Sequence, residues 1–279
     1  MKKIIIFFTF FLIISGLFAK DTITWYVVPT APFFITEGTD KYKGVHDLMH
    51  NYYIKKLKDY NHKYETVSIN RLLEVAKKND KFGTMILLKS EEREKTFYFS
   101  NPYDFILTNH IIVKQEKYKD FLPYIDNQGY IDLVKLLGDD KFLLGVSAGR
   151  VYHESLTDLL NKATKLDSTF GLNSLELQLK KLSLNRISAI IEYPEVVQYA
   201  LNDKKIKLDY VAIPIKGIEP YNLVRFSFPK TKWGAEMTNT MNNLISIYIN
   251  TKDYENLTLK LSPSKVKYLK EFRKSSAKN

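Results

Sequence analysis

The sequence predicts an α/β protein of two lobes with a central cleft. Three observations predict it. From Ile23 to Leu88, short apolar runs alternate with amphipathic helical patterns. The same order returns between about residues 140 and 200. Between these units lies one strongly strand-like run, Phe105 to Val113, able to link them. Such alternation implies mainly parallel sheets covered by helices. A chain of 279 residues is long enough for two cores of ordinary size.

The chain opens with Met1-Lys2-Lys3, an apolar run from Ile4 to Phe18, and Ala19 before Lys20-Asp21. A short positive start, a short apolar core and a small boundary residue describe a secretory signal, assigned here to residues 1–19. The alternative is a membrane anchor, but the run falls short of the ~20 residues that span a bilayer. The expected compartment is the periplasm. No cysteine is present, so neither a lipid-linked cysteine nor a disulfide framework is available.

Ile23 to Val28 reads as a strand that stops at Pro29, with Pro32 and Phe33-Phe34 beyond it. After Gly44, the positions Val45, Leu48, Met49, Tyr52, Leu57 and Tyr60 form one buried helical stripe. Tyr64 to Val67 is a short strand, and Ser68 caps a helix carrying Ile69, Leu72, Leu73 and Ala76. Gly83 to Leu88 is the next strand. Lys114 to Gly129, polar and mixed, reads as the crossing to the second lobe.

Ile131 to Leu137 suggests a short helix, and Lys141 to Val146 a strand broken at Gly149. Tyr152, Leu156, Leu159 and Leu160 make a helical stripe. Asn173 and Glu176 have capping-box spacing before Leu179 and Leu182. Ile187 to Ile191 is a buried strand, and Pro194 suits the start of a helix. Lys207 to Ile215 and Tyr221 to Phe228 are strands. Met237, Met241, Leu244, Ile245 and Tyr248 mark a long helix, and Val266, Leu269 and Phe272 a last one after Ser262-Pro263. Lobe 1 is expected over 20–112 and about 212–279, its C-terminal helices packed on it, and lobe 2 over 113–211.

The formal charge is +11, but the lysines are scattered singly and in pairs such as Lys55-Lys56 and Lys204-Lys205. Scattered lysines describe a solvated face, so no nucleic-acid partner is expected. His46, His62, His110 and His153 lack metal-ligand spacing. No zinc-protease helix, nucleophile elbow or phosphate loop occurs. No metal, cofactor or catalytic residue is therefore expected, and a monomer is.

Arg93 is the first binding candidate. It follows a strand that ends at Leu88, and the ends of parallel strands are where open sheets place ligands. A guanidinium grips a carboxylate or phosphate with two parallel hydrogen bonds. Alternatively, Arg93 pairs with Glu91, Glu92 or Glu94. Gly149-Arg150 opens a helix after a second-lobe strand, where free N–H groups favour an anion. Glu192 and Tyr193 follow the Ile187 to Ile191 strand; the carboxylate suits an ammonium or a hydroxyl, or else caps the next helix. Trp25, Tyr26, Phe33 and Phe34 are the aromatic candidates, the last two better placed beyond the strand. Asp47 is suited to tying down the first helix.

Ser90-Glu91-Glu92-Arg93 followed by Phe97-Tyr98-Phe99-Ser100-Asn101-Pro102-Tyr103 resembles the extracytoplasmic solute-binding proteins of family 3, the type II periplasmic binding proteins of amino-acid import. Pro32-Phe33, Gly44 to Leu48, Gly145-Val146-Ser147-Ala148-Gly149 and Ser188 to Glu192 are similar to other family segments in the same order. The resemblance implies the periplasmic-binding-protein type II fold. It implies that Arg93 holds a ligand carboxylate, that Gly149-Arg150 closes over it, and that an acid near Glu192 or Tyr193 takes an ammonium. The family's two ligand-holding hydroxyl positions are Ile86 and Leu88 here, which puts an apolar Leu88 at the ligand. Arg150 replaces the threonine of the second-lobe turn, Thr30 an aromatic, and Ser188 an aspartate.

The implied function is extracytoplasmic binding of a small polar, carboxylate-bearing or anionic solute by hinge closure. It would serve uptake or signalling, with an inner-membrane permease or sensor as partner. The alternatives are an envelope adaptor with a degenerate cleft, or an enzyme in which Glu192 transfers protons.

Overall fold

Strand alternation splits the β1 side chains between two cores. In β1 (Thr22–Val27), Ile23, Trp25 and Val27 enter the larger one, while Tyr26 faces the opposite way onto Leu72, Phe82, Leu87 and Phe97. Both faces of this strand are therefore buried, as parallel strands under helices require. The computed structural model describes residues 20–76, 78, 80–147, 154–163, 165–170, 173–260 and 262–277. The expected signal at 1–19 lies outside them. Among the described residues no helix is long and apolar enough to cross a membrane.

The first sheet has the order β2-β1-β3-β10-β4. Its strands are β1, β2 (Asn61–Thr66), β3 (Phe82–Thr84), β4 (Phe97–Leu107) and β10 (Tyr221–Pro229). β1 pairs in parallel with β2 and β3, and β10 lies antiparallel between β3 and β4. At Gly83 an added Cβ would sit 2.4 Å from the Trp25 ring, so only glycine lets β3 lie beside that indole. Around this sheet lie α1 (Val45–Ile54), α2 (Ile69–Val75), α3 (Glu91–Glu94), α8 (Lys232–Tyr248), α9 (Lys252–Leu259) and α10 (Val266–Ala277). Met237, Met241, Ile245, Tyr254 and Phe272 from the C-terminal helices share one core with Trp25, Met49 and Phe105. As expected, the Ser68 hydroxyl caps α2, accepting from Arg71 N at 3.3 Å.

The second sheet has the order β7-β6-β8-β5-β9. Its strands are β5 (His110–Lys114), β6 (Leu144–Ser147), β7 (Leu166–Thr169), β8 (Ala189–Glu192) and β9 (Tyr210–Pro214). β6 is parallel to β7 and β8, and β5 is antiparallel to β8 and β9. Its helices are α4 (Leu133–Leu137), α5 (Glu154–Lys162), α6 (Ser174–Ser183) and α7 (Pro194–Asp203). Pro194 is the first residue of α7, as expected, but Asn173 makes no side-chain cap, so that capping box does not form.

The Phe105 to Val113 run is two strands in two sheets, not one. β4 ends at Leu107 and β5 begins at His110, so Thr108 and Asn109 carry the crossing. Only the polar Thr108-Asn109-His110 interrupt the apolar residues here, and all three are buried like their neighbours, so the pattern does not register the change of sheet. The expected boundaries at 112 and 212 therefore fall inside β5 and β9. The Lys114 to Gly129 stretch lies beyond the crossing, mostly as a 3-10 segment over Gln115–Tyr124 that packs on β5 and β9. The return passes between Pro214 and Tyr221.

A buried charge cluster ties β4 to the helices on its face. The Asp104 carboxylate accepts from Tyr254 Oη (3.0 Å), Thr258 Oγ1 (2.6 Å), Lys265 Nζ (3.2 Å) and His46 Nε2 (3.0 Å). Asp104 and Lys265 are 0 and 1 % exposed. Burial alone raises a carboxyl pKa, but the Lys265 charge and the His46 bond outweigh it and hold Asp104 well below the usual range. Burial lowers the His46 pKa, so the imidazole is neutral and donates Nε2–H. Replacing one member strands the other charge in a dry site. Lys265→Met is expected to cost about 3–5 kcal/mol in urea unfolding; a loss below about 1 kcal/mol would show that water reaches Asp104.

Candidate solute-binding cleft

Strand directions decide which edges face each other. β4 runs into the crossing, and Leu107 at its end lies opposite Tyr221, the start of β10. β10 thus leaves the crossing; β3, antiparallel to it, runs toward the crossing, and so do β1 and β2. In the second sheet His110, the start of β5, pairs with Glu192, the end of β8. β6 and β7 are parallel to β8, so their ends also point back toward the first sheet. The carboxyl edges of both parallel sets therefore face each other across the crossing, where α/β sheets bind ligands.

On the first edge, Leu88 and Arg93 follow β3. Ser90 caps the short helix α3, its Oγ accepting from Arg93 N at 3.3 Å. The half-buried guanidinium turns back and donates from Nη1 to Leu88 O at 2.7 Å. The acidic neighbours do not neutralise it: Glu94 pairs instead with Lys89 at 2.8 Å, and no salt bridge to Arg93 occurs among the described residues. A guanidinium has five N–H donors, so the bond to Leu88 O leaves capacity for a bidentate partner. Leu88 is 38 % exposed, whereas Leu87 and Ile86 pack into the lobe.

The aromatic expectations need correction. Trp25 is 1 % exposed and belongs to the core; its Nε1 donates to His62 Nδ1 at 3.0 Å, and its ring stands edge-on to His50. Phe33 and Phe34, 8 and 3 % exposed, pack on the His46 ring. The loop after β1 does not open into the cleft. It folds back on the start of α1, where Phe33 O accepts from His46 N and the Asp47 carboxylate accepts from Ile35 N (2.9 Å) and Gly44 N (3.1 Å). Asp47 thus ties down the helix start, as expected.

On the second edge, Glu192 is 1 % exposed and accepts from Tyr193 N at 2.7 Å. That bond is to the adjacent residue, and α7 has no side-chain cap, so the capping alternative is not seen. Tyr193, half-buried, is the residue before that helix. Gly149 and Arg150 lie outside the described residues, as does His153. Four residues on this edge were not among the site candidates read from the sequence. Ser147 Oγ lies 3.1 Å from Ser174 Oγ and accepts from Gln178 Nε2 at 3.2 Å. Phe170, just past β7, is 76 % exposed; an aromatic followed by glycine in a polar stretch was its signal.

The lobes also meet directly. Glu195, in the first turn of α7, is 1 % exposed, and its Oε1 accepts from Leu107 N at 2.9 Å. Asp40, in the loop before α1, lies close enough to Tyr199 of α7 to help raise its pKa, after burial and Asp203. Nothing in the spacing reveals Glu195, because an acid in a first helical turn is ordinary. A cavity of about 560 Å³ lined by Lys114, Lys117, Lys141 and Phe142 opens at the opposite end of the second sheet, away from the crossing. Among the described residues no cluster of three acidic or histidine side chains could hold a metal ion.

The sequence matches no protein-family model, and no curated protein is significantly similar to it. Solved structures do match. Substrate-binding domain 2 of Lactococcus lactis GlnP, in an open conformation, superposes with a TM-score of 0.59 at 17 % identity, covering 87 % of this chain and 96 % of that one. A reconstructed ancestral cationic amino-acid solute-binding protein gives 0.62 at 18 %, covering 86 and 95 %. The unliganded open L-cystine solute receptor of Neisseria gonorrhoeae gives 0.58 at 15 %, covering 88 and 93 %. At these identities the likeness is one of fold: two mixed sheets flanked by helices, arranged as in the bilobed type II periplasmic binding proteins.

Proposed function

We propose that this chain captures a small carboxylate-bearing or otherwise anionic solute between its lobes, outside the cytoplasm, and delivers it to an inner-membrane permease or sensor. The observation that carries this reading is Arg93: a guanidinium at the carboxyl edge of a parallel sheet, facing a second such edge, without a carboxylate partner among the described residues. Two parallel N–H bonds to a solute carboxylate fix both its position and its orientation. The exposed Leu88, whose carbonyl holds the guanidinium, and the exposed Phe170 on the second edge offer apolar surface, which suits a solute with an apolar portion beside its charge. The names of the structural neighbours point to amino acids as the solute class. A solute that touches both edges favours the closed arrangement of the lobes by its differential affinity alone.

A thermal-shift screen of neutral amino acids, dicarboxylates and phosphorylated solutes, followed by titration calorimetry, is expected to find a ligand that stabilises the native chain. Arg93→Ala removes a charge-assisted pair of hydrogen bonds, each worth about 1.5–3 kcal/mol, so affinity should fall about a hundred-fold or more. A ligand bound equally well by Arg93→Ala would sink the reading.

Ser90→Ala removes the cap that positions Arg93. The exposed four-residue helix should lose about 1 kcal/mol or less in urea unfolding. Affinity for the same ligand should fall several-fold in calorimetry. Unchanged affinity would mean that α3 does not set the guanidinium.

A further inference from the structure

The hydrogen bond between the lobes lies beside the crossing, and its acceptor is an unusual one. Glu195 belongs to the second lobe and Leu107 to the first, and the bond joins them one residue before the crossing. The crossing strands are themselves tied: Thr108 N donates to Pro220 O at 3.1 Å, and Thr108 Oγ1 to Glu219 O at 2.5 Å. Around this point several buried polar atoms lack a partner among the described residues: Glu195 Oε2, His110 Nε2 and Asn109 Nδ2. An ionised carboxylate with one oxygen unsatisfied in a dry site is costly, and the cost vanishes when the group takes a proton or meets water. A stabilising core contact has no need of such a group. We propose that Glu195 is a proton-sensitive strap: proton uptake holds the lobes in the arrangement described here, and proton loss favours an arrangement that hydrates the carboxylate.

The groups facing Glu195 fix the direction of the effect. Burial pushes its pKa up from 4.5 to about 7; Lys265 and the bond from Leu107 N draw it down, and Asp104 adds to the rise. Tyr210 on β9 also faces it, its own pKa pushed up to about 12 by burial and then by Glu195, so it stays neutral. His110 on β5 is pushed down to about 4 by burial, with Lys267 on α10 adding to the fall, and is neutral above pH 5. Of Glu195, Tyr210 and His110, only Glu195 changes charge between pH 5 and 8. Its pKa is raised in this arrangement, so the stabilisation is fully present below about 4.5 and is lost as pH rises through about 7.

The chain has no cysteine, so two can be introduced without background: Asn239→Cys in the first lobe and Lys119→Cys in the second, both exposed. Single-molecule energy transfer between dyes at these positions, with no solute added, counts the two lobe arrangements from pH 8 to 5.5. The ratio is expected to move about ten-fold toward one arrangement on acidification. In Glu195→Gln, which keeps the acceptor but cannot titrate, it should stay within about two-fold. Equal pH dependence in both proteins, or none in either, would overturn the strap; so would a single inter-dye distance throughout. Carbon-13 labelling of glutamate gives a second reading on the unsubstituted chain: one carboxyl must titrate near 7, and its absence would overturn the proposal even if Glu195→Gln fails to fold. The inference rests on the lobe motion proposed above but not on any solute. A pH-dependent ratio without ligand binding would remove solute capture and leave the strap intact.

Discussion

Asp104 is the point on which the first lobe turns. Its carboxylate sits on β4, four residues before the crossing, and it receives hydrogen bonds from α1, from α9 and from the 3-10 turn that leads into α10. A buried charge of this kind is not an efficient source of stability, since apolar packing would serve as well. What it supplies is uniqueness of arrangement. Lys265 reaches Asp104 only if α10 starts at one place, and its Nζ then also lies 4.4 Å from the Phe105 ring centroid. The strand that enters the crossing is thereby fixed relative to the last helices of the chain.

The facing of the two carboxyl edges follows from connectivity. Two residues separate β4 from β5, so the second sheet must begin where the first strand ends. Once β10 returns beside β4, the directions of β3, β1 and β2 are set by pairing alone. Past the end of β3, Ser90 starts the single helical turn that holds Arg93, and the guanidinium is steadied on the Leu88 carbonyl.

The sequence made most of this fold legible, because strand and helix periods are local properties. The first-lobe alternation, the Ser68 cap and the Pro194 helix start could all be read from residue types and spacing, although β3 stops at Thr84 and not at Leu88. The crossing could not, because Thr108, Asn109 and His110 are buried like the strand residues on either side and carry no turn signal. Half of the site was visible for the same reason that half was not. Arg93 announces itself as a cation at a strand end. Phe33 and Phe34 look like cleft residues until the loop is seen folded back on His46. Glu195 carries no local mark at all: its partner is the backbone of Leu107, 88 positions away.

The first sheet is completed late. β10 lies between β3 and β4, yet it comes after the whole second sheet in the chain. As the polypeptide emerges N-terminus first, β4 is made and then waits, with an unpaired edge, through more than a hundred residues of further synthesis. The second lobe is continuous and has all its strands by Pro214. It is thus the unit equipped to fold first, while the earlier-made half stays unfinished and exposed to wrong edge partners until Tyr221–Pro229 arrives.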